Sequence, residues 1–192
     1  FRCAKKTKII NENMELKFIG FGTMNGKDGK PFKTRDGGVM RLESLINDIN
    51  EEMYKKIAEN RTMSEEEARK TAQMVALSAM KYGDLSNQAA KDYVFDVERF
   101  ISFEGNTGPY NLYTIVRIKS ILAKYAESGK DAAKCKMKKP QTQSEKALML
   151  EVAKFNNVIE TAFEELAPHK ICAYIYDLSN AFNRFNHETK IL

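Results

Sequence analysis

The chain is poor in the residues that do metal and thiol chemistry. Its three cysteines, Cys3, Cys135 and Cys172, are odd in number and far apart, and none forms a C-x-x-C pair. Neither a disulfide framework nor a zinc site is indicated. The only histidines are His169 and His187, and no metal-binding residue is assigned. No run of about eighteen apolar residues occurs, which excludes a membrane-spanning helix. The N-terminus carries no signal-peptide pattern. A cytoplasmic, reducing setting fits these absences best. The sequence has no internal repeat and no low-complexity tract. Charge is not one-sided either: 31 basic residues stand against 26 acidic ones, a net +5. That excess permits nucleic-acid binding without requiring it.

What is present is helical periodicity. The chain has 192 residues, 43% of them hydrophobic, enough for one large core or two small ones. Residues 15–24, "ELKFIGFGTM", read as one or two short strands, because Leu16, Phe18, Ile19 and Phe21 alternate in part. Leu42, Leu45, Ile46, Ile49, Met53 and Ile57 recur at three and four and predict an amphipathic helix, broken by "NRT" at 60–62. Ser64 with Glu67 is a capping box. The helix it opens carries Ala68, Ala72, Val75, Ala76 and Ala79 to about Met80, with Gly83 as its stop. Phe95, Phe100 and Phe103 are expected to anchor a short helix and its exit. Thr107-Gly108-Pro109 starts another helix, with Pro109 at its first position. Its broad apolar face is Leu112, Ile115, Val116, Ile118, Ile121, Leu122 and Tyr125, and Gly129 ends it. A lysine-rich loop spans 129–141. Thr142 with Glu145 is a second capping box, opening a helix to about Leu166, and Pro168 opens the last helix. The expected fold is mainly α: a small β-containing N-terminal portion followed by an α-helical bundle of five or six helices in all.

"GKDGKPFKTRDGG" runs from Gly26 to Gly38. Glycine lets a backbone approach a ligand closely, and lysine and arginine supply donors and charge. The loop does not match the P-loop pattern G-x-x-x-x-G-K-[ST]. Its composition alone fits an ordinary solvated turn as well as a phosphate loop.

The same stretch, "FGTM-GKDGKPFKTRDGG", resembles the C-terminal end of the catalytic domain of arginyl-tRNA synthetases. In that class I family a KMSKS loop stabilises the ATP triphosphate, often in degenerate form. Lys30-Pro31-Phe32-Lys33-Thr34 occupies its frame here, keeping both lysines and the terminal hydroxyl. The resemblance implies that Lys30 and Lys33 face the β- and γ-phosphates, with Thr34 beside them. "ALSAMKYGDLSN" at 76–87 and "DYVFDVERFISFEGNTGPY" at 92–110 resemble the segment that follows in the same family. "NTGPY" marks the start of its helical anticodon-binding domain. Many members continue Y-L-Q-Y-A-H-A-R-I, where this chain has "YNLYTIVRI" from Tyr110 to Ile118. The last helix, "YIYDLSNAFNRF-H", also resembles the family's terminal region, with Asn186 where a tyrosine is usual. No HIGH-type motif is present.

RNA recognition needs cations for phosphates and flat or amide groups for unstacked bases. Tyr110, Tyr113, Arg117 and Lys124 lie on one helix, with Arg117 and Lys124 on a face opposite most of the aliphatic stripe. Asn106 precedes that helix. Tyr174, Asn180, Asn183, Arg184 and His187 lie on the last helix, the final four at three-and-four spacing on one polar face. Each has a plainer reading. The tyrosines also suit a core with satisfied hydroxyls, Asn106 suits a helix cap, and a polar face suits solvent. The Lys130, Lys134, Lys136, Lys138 and Lys139 run reads as an exposed loop, and His169 as structural.

The resemblance implies a C-terminal fragment of a class I arginine–tRNA ligase. Residues 1–104 would be the end of a Rossmann-type catalytic domain with a helical tRNA stem-contact region. Residues 105–192 would be an anticodon-binding domain, incomplete at its C-terminus. The parent would use ATP and Mg2+ to couple arginine to arginine tRNA through arginyl-adenylate, and the fragment alone would be inactive; the oligomeric state is left open, with a monomer expected. A stand-alone, non-catalytic RNA-binding module is the rival reading, and a helical interaction protein with merely solvated basic faces is the third.

Overall fold

The computed structural model describes every residue except 12, 32–40, 60–62, 130 and 192. Its spine is a helical hairpin. On α2 (Leu42–Ala58), Leu45, Ile49 and Met53 recur every fourth residue and are buried, one above the other on a single face. The opposing helix, α3 (Glu65–Leu85), presents Ala68, Ala72, Ala76 and Ala79, all buried. Alanines let the two backbones approach, and the larger α2 side chains fill the space. The capping box that opens α3 is complete. Ser64 Oγ accepts from the Glu67 N–H at 3.3 Å, and Glu67 Oε2 accepts from the Ser64 N–H at 3.1 Å. The expected break at "NRT" lies outside the described residues.

Before α2 stand a five-residue helix, α1 (Arg2–Lys6), and a two-residue strand, β1 (Met24–Asn25). β1 pairs in parallel with β2 (Tyr93–Val94), Met24 opposite Tyr93 and Asn25 opposite Val94. The strands expected across 15–24 are therefore confined to their last residue and the one beyond it. Phe18 and Phe21 are 84% and 89% exposed, and the paired edge is Met24 and Asn25, with the Thr23 carbonyl accepting from the Tyr93 N–H at 3.0 Å. Just before β1, Gly22 lies so close to the Lys91 backbone that a side chain there would overlap it.

The core continues into α4 (Val97–Phe100), capped by Asp96, whose carboxylate accepts from the Arg99 N–H at 3.4 Å. Phe95 and Phe100 are buried and meet edge to face, ring centres 4.8 Å apart. Phe103, expected to join them, is exposed. Gly83 does not stop α3. It lies inside the helix, where an added Cβ would sit 2.5 Å from ring carbons of Phe100. Glycine is needed there for close contact rather than for a turn.

α5 (Gly108–Glu127) starts at Thr107, whose hydroxyl accepts from the Tyr110 N–H at 3.2 Å and donates to the Ser102 carbonyl at 2.6 Å. An added Cβ at Gly108 would lie 2.5 Å from the Ser78 carbonyl oxygen. This backbone contact pins α5 to α3 and decides which edge of α5 faces inward. That edge is polar: Asn111 and Thr114 are buried, while Ile115, Val116 and Leu122 are exposed. The expected aliphatic face is thus split: Ile115, Val116 and Leu122 turn outward, while Leu112, Ile118, Ile121 and Tyr125 are half-buried. Gly129 follows the helix at φ +76°, a left-handed position suited to glycine.

The single helix expected from Thr142 to Leu166 is two. α6 (Gln143–Ala153) opens with its capping box intact, and α7 (Phe155–Glu164) follows after Lys154. At the junction the Lys154 N–H bonds to the Glu151 carbonyl at 3.1 Å, tightening the last turn. Phe155 then faces Tyr174 of α8 (Pro168–Glu188), ring centres 6.1 Å apart. α8 packs on α3, α5, α6 and α7, and α3 packs on α2, α5 and α8. The mainly α fold with a small parallel sheet matches the sequence reading. No helix among the described residues is long and apolar enough to cross a membrane.

Candidate phosphate loop and nucleic-acid interface

The glycine-rich segment begins as a tight turn directly after β1. The Gly26 N–H bonds to the Lys30 carbonyl at 2.9 Å, the Gly29 N–H to the Gly26 carbonyl at 2.9 Å, and the Lys30 N–H to Asp28 Oδ1 at 3.1 Å. Gly29 has φ +73°, left-handed space that a side chain resists. Asn25 bridges Pro31 and returns the chain. Lys30 is exposed at the end of this turn and has no ion pair among the described residues. Lys33 and Thr34 lie outside the described residues. Lys27 is differently placed. Its ammonium lies 3.1 Å from Glu98 Oε2 and 3.3 Å from Asp96 Oδ1, and these carboxylates, Glu98 first, raise its pKa.

The second cluster joins α5 to α8. The Tyr110 hydroxyl donates to Asn180 Oδ1 at 2.6 Å and accepts from Asn183 Nδ2 at 3.0 Å. Asn183 Nδ2 also donates to Thr114 Oγ1 at 2.9 Å. Asn183 Oδ1 accepts from Arg117 Nη1 at 3.1 Å, and Arg117 Nη2 donates to the Tyr113 hydroxyl at 2.9 Å. Tyr110 is half-buried against Tyr176, ring centres 5.7 Å apart. Tyr113 is exposed, so one edge of the cluster meets solvent. An outward tyrosine beside a guanidinium offers both a flat face for a base and a cation for a phosphate.

The structure brings together Tyr110, Tyr113, Arg117, Asn180 and Asn183 and leaves the other expected contacts apart. The polar face expected on α8 is divided. Asn180 and Asn183 turn inward to α5, whereas Arg184 and His187 are exposed, and Arg184 Nε bonds Glu188 at 2.8 Å. Lys124 is exposed nearer the end of α5, and Asn186 is half-buried. Tyr174 is buried and belongs to the packing. Thr107, not Asn106, caps α5, and Asn106 Oδ1 instead lies 2.6 Å from the Tyr82 hydroxyl. That hydroxyl also faces the Cys172 carbonyl at 2.7 Å. Lys134, Lys136, Lys138 and Lys139 are exposed. The half-buried His169 has a buried Nδ1 without a hydrogen-bond partner among the described residues.

Sequence reasoning misses Tyr82 and Thr114. Tyr82 meets its carbonyl acceptor 90 positions away, and Thr114 meets Asn183 across 69. No local pattern announces either contact. The clamp on Lys27 spans 71 positions and is equally hidden.

Known proteins share both parts of the chain. A family model described as tRNA synthetases class I (R), catalytic domain, matches residues 1–97, and one described as DALR anticodon binding domain matches residues 111–192. The chain is 64% identical to an arginine–tRNA ligase of Agathobacter rectalis and 57% identical to one of Alkaliphilus oremlandii. Each match covers 100% of this chain but only 34% and 32% of those relatives. The chain therefore spans about a third of the length of the curated relatives it matches. A solved arginyl-tRNA synthetase of Thermus thermophilus shares the fold at TM-score 0.71 and 24% identity, over 89% of this chain and 27% of that one. With residues 1–97, just over half of its 192 residues, inside the first family model, the chain belongs to the class I (R) tRNA synthetases.

Proposed function

We propose that this chain is the C-terminal segment of a cytoplasmic arginine–tRNA ligase. It would supply the phosphate loop of the catalytic domain and the bundle that holds the anticodon, with the division near residue 104. The observation that carries the reading is the match of two consecutive family models, a catalytic domain and then an anticodon-binding domain, along one chain. The two relatives at 64% and 57% identity, both named arginine–tRNA ligase, supply the amino acid.

In the first step the carboxylate of arginine attacks the α-phosphorus of ATP and pyrophosphate leaves. In the second, a terminal ribose hydroxyl of the tRNA attacks the arginyl-adenylate carbonyl and AMP leaves. This chain's contribution to the first step is electrostatic. An ammonium fixed beside the departing phosphates offsets charge that grows as the bond breaks. Lys30 suits that role, being exposed, unpaired among the described residues, and mounted on a glycine turn that admits close approach. Lys33 and Thr34 would complete the site, and magnesium would arrive with the triphosphate. In the bundle, Tyr113 and Arg117 form the open edge of the α5–α8 cluster, with Tyr110 and Asn183 fixing it. Lys124, Arg184 and His187 would add contacts along the backbone of the RNA, and Asn106 would offer its amide to a base edge.

The test is Lys33→Ala in the full-length ligase. ATP–pyrophosphate exchange, with arginine and arginine tRNA present, is expected to fall about a hundredfold, while affinity for the tRNA stays within about twofold. Equal loss of both would remove the phosphate role. A second reading, a non-catalytic RNA-binding module, is favoured by the α5–α8 cluster, which is complete within this chain. Binding of the chain alone to arginine tRNA and to the same tRNA with a changed anticodon, at two salt concentrations, separates specific reading from simple charge attraction.

A further inference from the structure

The turn that carries Lys30 holds two described lysines, and the fold treats them differently. The Lys27 ammonium is shared by two carboxylates, Glu98 at 3.1 Å and Asp96 at 3.3 Å. Asp96 is the N-cap of α4 and Glu98 lies in its first turn, so both are fixed to the entry of one helix. The backbone beside them is tied as well, because the Phe95 N–H bonds to the Asn25 carbonyl at 2.8 Å. Lys27 and Lys30 stand on either side of a turn closed by the Gly26–Lys30 hydrogen bond. Lys30 has no carboxylate partner among the described residues.

We propose that Lys27 is a positioning residue for the phosphate loop: held by Asp96 and Glu98, it fixes the turn against α4 so that Lys30 is presented to the triphosphate. The proposal rests on the phosphate-loop reading and adds a residue to it. A phosphate approaching Lys27 would have to displace two carboxylates, whereas one approaching Lys30 displaces none. The clamp also joins the loop to the segment that leads directly into the bundle. Lys27 and Glu98 are exposed and Asp96 is half-buried, and ion pairs at the surface shift an equilibrium by about two- to fivefold. The effect expected is of that size.

The test is a mutant cycle in the full-length ligase, read by arginine-dependent ATP–pyrophosphate exchange with tRNA present. One arm is Lys27→Met, the second is Asp96→Asn with Glu98→Gln, and the third combines all three changes. Asn is chosen at position 96 because it also caps helices. Each of the first two arms is expected to raise KM for ATP about threefold, leaving tRNA affinity unchanged. The combined variant is expected to be no worse than either, and Lys27→Arg to restore most of the loss. If Lys27→Met impairs exchange while the carboxylate variant does not, Lys27 touches phosphate itself and the proposal falls. Losses that multiply in the combined variant, or no change in any arm, also overturn it. A wild-type protein without arginine-dependent exchange overturns the ligase reading, and the proposal with it.

Discussion

The hydroxyl of Tyr110 meets the amide oxygen of Asn180 at 2.6 Å, across seventy positions of sequence. The same hydroxyl oxygen accepts from Asn183 at 3.0 Å, so one atom holds two turns of α8 against α5. Tyr110→Phe keeps the ring against Tyr176 and removes only this junction. The group left behind is a part-buried amide, which costs about 1–3 kcal/mol when unsatisfied. Urea unfolding is expected to show a loss in that range. Asn180→Ala added to Tyr110→Phe should cost less than the sum of the two singles.

Gly83→Ala is expected to destabilise the protein by about 1–3 kcal/mol, although alanine is the better helix former by about 1 kcal/mol. The new Cβ would fall 2.5 Å from ring carbons of Phe100. That ring is buried and engaged edge to face with Phe95, so it has little room to retreat. Thermal unfolding of Gly83→Ala, with and without Phe100→Leu, checks the cause. The smaller side chain should recover part of the loss.

Burial pushes the Tyr82 hydroxyl up to about 12, above the usual value of about 10. Its ionised form is the one disfavoured by folding. Below about pH 10 the hydroxyl is neutral in both states, and its contribution to stability is fully present. Between about pH 10 and pH 12 the unfolded chain gives up this proton first, so stability falls; above that range the loss levels off. Unfolding free energies at about pH 9 and about pH 11 should therefore drop less in Tyr82→Phe than in the wild type. Tyr93, raised by burial and by its bond to Asp84, keeps its own share in both proteins and cancels in the comparison. An equal drop would show that Tyr82 titrates normally.

The sequence is most legible where the physics is local. Ser64 with Glu67 and Thr142 with Glu145 are capping boxes in which donor and acceptor lie three residues apart, and both form as read. The alanine row on α3 and the Leu45–Ile49–Met53 row on α2 are likewise visible, because one helix period specifies each. Gly83 reads as a stop because a helix-ending glycine and a helix-packing glycine look alike in one dimension. The distinction lies in the ring of Phe100, which the chain reaches only after α3 has ended.

The inner edge of α5 is illegible for the same reason. Hydrophobicity argues for burying Ile115, Val116 and Leu122, but the Gly108–Ser78 contact sets the rotation of the helix and turns Asn111 and Thr114 inward. In the candidate sites, the residue types are readable and their engagements are not. Tyr110, Arg117 and Asn183 stand out as RNA-binding types, and in the fold they form one cluster where they already satisfy one another. For the proposed phosphate loop, the resemblance of its frame singles out Lys30, while the clamp on its neighbour Lys27 depends on Asp96 and Glu98 at the entry of α4.

The contact between Gly108 and Ser78 bears on where this protein can be cut. A break near residue 105 falls between the two family matches, yet it would leave Ser78 and Tyr82 on one piece and Gly108 and Cys172 on the other. Pro109, which is buried, would lie four residues from the new end. Beginning the excised piece at Ser64 keeps the α3 contacts with α5 and α8. The face then bared is mostly a row of alanines, cheaper to wet than the Leu45, Ile49 and Met53 that leave with α2. For dissection or grafting, α3 travels with the bundle.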